Sequence, residues 1–123
     1  MTNAITVGLI TVSRLCGLAA VGTGAAYWWG YDVPLHVHIT VGAVVVLAVW
    51  GLAVTVRTHA AGLALTATMW GAIVPILGLT QVYMPLSDAP WLLQGLHVAA
   101  GLGALEFAEL LARQGKTAAP SLR

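Results

Sequence analysis

PLHVHITVGAVVVLAVWGLAVTV, residues 34–56, runs without a single Asp, Glu, Lys or Arg. As a helix rising about 1.5 Å per residue it is long enough to cross a hydrocarbon layer about 30 Å thick. Three further segments have the same character, about 5–29, 60–84 and 90–111. Gly30-Tyr31-Asp32-Val33-Pro34 separates the first two, Arg57-Thr58-His59 the second and third, and Pro85-Leu86-Ser87-Asp88-Ala89-Pro90 the third and fourth. Open sheet edges do not survive in lipid, so the spans read as helices. Short connections make successive spans antiparallel neighbours. The expected fold is therefore an all-α integral membrane protein, an antiparallel four-helix transmembrane bundle over residues 1–114. A polar tail, 115–123, is expected to fray.

Composition supports lipid as the main solvent. The chain has 123 residues, 59% hydrophobic and 7% charged, where a soluble domain carries about a quarter charged residues. A net charge of +1 lacks the basic patch that nucleic-acid binding needs. Cys16 is the one cysteine, so neither an intrachain disulfide nor a cysteine-based metal site is available. Tyr27, Trp28 and Trp29 are too bulky for a signal-peptide cleavage site, and the first segment reads as a retained span. Arg57, Arg113, Lys116 and Arg123 fall on one side with the N-terminus, while the opposite loops carry Asp32 and Asp88. The positive-inside rule then places both termini in the cytoplasm of a bacterial or archaeal cell. Trp28, Trp29, Tyr31, Tyr83 and Trp91 form an aromatic belt at the outer interface.

Segments 31–56 and 83–111 look like copies, so the bundle reads as two similar helical hairpins. Asp32-Val33-Pro34 answers to Asp88-Ala89-Pro90, each Asp suited to capping a helix whose first turn holds Pro. Each is followed by His-x-x-x-Gly: His38 with Gly42, and His97 with Gly101. Imidazoles are costly in a bilayer and mark functional sites there. Helices 2 and 4 start on the same membrane face and lie diagonally across a bundle of this topology, so His38 and His97 can grip one object from both sides. Two axial histidines suit a haem iron, and Gly42 and Gly101, one turn deeper, would leave room for the macrocycle. His38 is four residues past its proline and His97 seven, an axial offset of about 4.5 Å that helix tilt absorbs.

His36 points to roughly the opposite side of the helix from His38. It is read as facing a loop, a haem propionate or a substrate; it becomes the ligand itself if the helix starts later. A copper site at His36-Val37-His38 lacks further soft ligands. His59 has no partner histidine at its own end and reads as interfacial. One haem b near the outer face is the natural count. Arg14 and Glu106 stand at similar depth and are expected to form an ion pair, with a proton-relay role for Glu106 as the sharper alternative. Glu109 and Arg113 are spaced as an i,i+4 pair. Pro75 should kink the third helix.

Gln94-Gly95-Leu96-His97-Val98-Ala99-Ala100, on a four-helix frame with single histidines near the outer starts of helices 2 and 4, resembles one half of a haem A synthase. It also resembles the wider class of four-helix membrane cytochromes b. The first likeness implies a half-size enzyme oxidising a haem methyl group. The catalytic half of that family carries a glutamate three residues before a ligating histidine, where this chain has Leu35 and Gln94, and the paired extracytoplasmic cysteines of many members are missing. The second likeness implies electron exchange with a quinone or an extracytoplasmic redox partner, within a larger complex or homo-oligomer. The leading expectation is a bis-histidine b-type cytochrome, with His38, His97, Gly42, Gly101 and His36 lining the haem. The alternatives are the half-size synthase and a cofactor-free or chlorophyll-binding accessory subunit.

Overall fold

The computed structural model describes residues 2–83 and 89–117, and these form four helices: α1 (Thr2–Trp28), α2 (Leu35–Val56), α3 (Ala61–Tyr83) and α4 (Pro90–Thr117). All four are long and apolar enough to cross a membrane. The protein is thus an all-α integral membrane protein, as its composition requires. Helix α4 continues six residues beyond the expected end of its span, to Thr117. Polar residues in the last turns, with Lys116 near the negative end of the helix dipole, extend it past the apolar stretch.

The first hairpin turn is set by Gly30. Helix α1 ends in a Schellman motif, with the Tyr31 N–H donating to the Ala26 carbonyl and the Gly30 N–H to that of Tyr27, both at 3.0 Å. The motif needs a left-handed residue, and Gly30 supplies it at φ 84°. The start of α2 differs from the expectation that Asp32 caps it. Pro34 is the N-cap, and no side chain completes a cap hydrogen bond. With the proline one place earlier than the first helical turn, Asp32 stands too far back to serve the first N–H groups. The corresponding Asp88 lies outside the described residues. Helix α3 runs unbroken through Pro75.

Helix α1 packs on α2 and α4, and α3 packs on the same two; α2 and α4 also touch across the middle, whereas α1 and α3 do not among the described residues. The cross-section is therefore a rhombus whose short diagonal joins α2 and α4. Small side chains allow that approach: Ala100, Ala104, Ala108 and Ala112 recur every four residues along the buried face of α4. Ala108 and Ala112, with Leu111, share a core with Val49, Leu52, Ala53 and Val56 of α2, Ala64 and Ala67 of α3 and Ile10 of α1. The outside is apolar, with Leu18, Leu47, Val54, Leu65, Met69 and Ile76 all exposed, as a surface facing acyl chains requires.

Two tryptophans latch the bundle with polar contacts. The Trp50 indole N–H donates to the Thr68 carbonyl at 3.1 Å, and that of Trp70 to the Ala100 carbonyl at 2.9 Å. Each indole lies in a notch left by a glycine three residues further on, Gly71 and Gly103 respectively. A side chain at either glycine would start within 2.9 Å of the indole nitrogen.

The packing is confined to one half of the bundle. Among the described residues none from Leu18 to Val44, and none from Ala72 to Ala99, is buried. The half next to the Trp28 to Leu35 turn has helices around it but no close-packed core.

Candidate functional site

That half holds both histidines of the repeat. The His38 and His97 rings face one another across the short diagonal, their centroids 6.0 Å apart and their planes inclined at 60°. The offset in sequence between the two hairpins is absorbed, so residues 59 positions apart come together. Each ring rests on a glycine of the helix before it. The His38 Cε1 lies 3.2 Å from where a side chain on Gly24 would begin, and the His97 Cε1 lies 3.0 Å from the same point on Gly78. The two hairpins thus build the same unit twice, an imidazole on the second helix seated over a glycine on the first. Gly24 and Gly78 carried no signal of their own in a chain with 14 glycines. Only the register of neighbouring helices singles them out.

The surroundings of the rings are not equal. The Thr23 hydroxyl lies 3.0 Å from His38 Nδ1 and donates its own proton to the Ala19 carbonyl at 2.8 Å. His97 Nδ1 is buried without a well-formed hydrogen bond; the Val74 carbonyl approaches the ring but does not complete one.

Gly42 and Gly101 both border open space, with no atom near the point where a side chain would start. His36 is exposed on the outer surface of α2, and its carbonyl accepts from the Thr40 hydroxyl at 2.7 Å. His59 is exposed at the far end of the bundle. Among the described residues there is no group of three or more His, Cys, Asp or Glu side chains able to hold a bare metal ion.

A different polar contact joins the other half. Arg14 donates to Glu109 through two nitrogens, at 2.6 and 2.8 Å. The expected pair with Glu106 does not form, because depth alone does not choose a partner. Leu105 packs on Gly17, and Glu109, one turn along the same face, meets Arg14. Glu106 is a further 100° around α4 from Leu105 and points outward, exposed. The carboxylate of Glu109 is engaged with Arg14 in place of the expected Arg113.

An imidazole pair at this spacing has a simple chemical reading. Two opposed imidazoles bound to one metal through bonds of about 2.0 Å, each ring adding a radius of about 1.1 Å, hold their centroids about 6 Å apart. The 6.0 Å observed is a separation of that size. A bare transition-metal ion takes about four protein or water ligands, and only two donors stand here. Two imidazoles would suffice for a metal that brings its other ligands with it, as the iron of haem does. No family model, no curated protein and no solved structure matches the chain.

Proposed function

We propose that this protein is a small membrane b-type cytochrome that holds one haem b between His38 and His97 and relays electrons. The observation that carries the reading is the facing pair of imidazoles, 6.0 Å apart, in the half of the bundle that has no core of its own. Haem, when bound, would supply one-electron chemistry. His38 and His97 would hold the group, Gly24 and Gly78 let the rings lie close to α1 and α3, and the open space beside Gly42 and Gly101 would accommodate the macrocycle. His36, exposed beyond the pair, is placed to meet a propionate or a docking partner. Both axial sides being histidine favours electron relay over oxidation of the haem itself, and Leu35 and Gln94 put no carboxylate where a synthase would need one.

The basic residues Arg57, Arg113 and Lys116 at one end favour that end as cytoplasmic. The haem then sits near the extracytoplasmic face of a bacterial or archaeal membrane. Electrons would pass to or from a quinone, a soluble extracytoplasmic partner or a neighbouring membrane subunit. Pigment extraction and mass spectrometry of protein purified from haem-replete cells test the reading. Haem b at one per chain is expected. Chlorophyll, or no pigment, would overturn it, and haem A made in cells that also make haem O would reassign the protein as a synthase.

A further inference from the structure

The near-identical seats of the two histidines make their one difference informative. The residue just before the supporting glycine is Thr23 on α1, which contacts the His38 ring, and Leu77 on α3. The Thr23 hydroxyl has one proton, and the Ala19 carbonyl at 2.8 Å takes it, as threonine hydroxyls in helices commonly arrange. The hydroxyl oxygen is then free only to accept. With that proton directed to the carbonyl, His38 Nδ1, 3.0 Å away, takes the donor role, which puts the proton on Nδ1 and leaves Nε2 with its lone pair. Leu77 offers His97 nothing comparable. The Val74 carbonyl approaches the ring, but His97 Nδ1 has no hydrogen bond of proper geometry.

We infer that Thr23 is a positioning residue that locks His38 in the Nδ1–H form with Nε2 ready to bind a metal, so that His38 is the held ligand and His97 the releasable one. A hydrogen bond from the far nitrogen of a ligating histidine fixes its tautomer, orients the ring and raises its basicity. His38 has that support from a side chain, whereas His97 has only the Val74 carbonyl in a poorer geometry. The consequence for haem rests on the cytochrome reading; the tautomer assignment does not.

The experiment has two arms. In the first, protein labelled with 15N-histidine is prepared without cofactor in lipid nanodiscs at alkaline pH, and the nitrogen shifts of each ring are read. His38 is expected as a single Nδ1–H tautomer and His97 as a mixture. Thr23→Val, which keeps the shape and removes the hydroxyl, should turn His38 into a mixture as well, and Thr23→Ser should restore the single form. In the second arm the same variants are titrated with haem b. Thr23→Val should weaken binding about 10- to 100-fold, Thr23→Ser should recover most of it, and Leu77→Thr should tighten it. An Nε2–H tautomer at His38 in the wild type, or one unmoved by Thr23→Val, would overturn the assignment. Tautomers that behave as stated while no variant binds haem would overturn the cytochrome reading and leave Thr23 in its role.

Discussion

At His38 and His97 the decisive neighbours are atoms that are missing. A methyl group on Gly24 or Gly78 would stand 3.2 or 3.0 Å from an imidazole carbon, closer than ordinary packing permits, so the ring must shift. Gly42 and Gly101 meet nothing. Gly24→Ala and Gly78→Ala should therefore reduce haem retention in purified protein by displacing a ligand ring, and Gly42→Ala and Gly101→Ala by narrowing the space given to the macrocycle. Measuring haem per chain in the four variants checks this. The histidine pair was legible in the sequence, because a costly imidazole repeated in matching helices stands out from an apolar background. Gly24, Gly78 and Thr23 were not. They act through the register of one helix against the next, and nothing along a single helix marks which glycine a neighbour's ring will cover.

Between elements, contacts from tryptophan and charge set the register. Trp70→Phe removes the indole donor to the Ala100 carbonyl and should cost about 0.6 kcal/mol, the usual size of a hydrogen bond between membrane helices. Reversible unfolding in mixed micelles measures it. Glu109→Gln should lower the midpoint of thermal unfolding, Glu106→Gln should not, and the effect of Glu109→Gln should vanish in an Arg14→Gln background. That cycle separates the Arg14–Glu109 pair from a general effect of charge. The four spans could be read from hydropathy to within a few residues at most ends. The partner of Arg14 could not, since rise per residue gives depth while the facing side depends on how α1 and α4 are rotated. The start of α2 differs from the sequence expectation by one residue: Pro34 sits at the cap and not within the first turn.

Over the whole molecule, alanines close one half of the bundle and the histidines occupy the half left without a core. A cofactor between α2 and α4 would complete that half, so haem-loaded protein should unfold at a higher temperature than haem-free protein, by mass action on the folded state. Compared by reporter fusion, a C-terminal alkaline phosphatase should be inactive and a C-terminal fluorescent protein bright if the basic end faces the cytoplasm. The most direct measurement is the reduced-minus-oxidised absorbance spectrum, with haem per chain, of the purified wild type and of His38→Ala, His97→Ala, His36→Ala and His59→Ala. A b-type α band should be present in the wild type, His36→Ala and His59→Ala and lost from both His38→Ala and His97→Ala. A colourless wild type, or a band that survives removal of either facing histidine unchanged, would contradict the account.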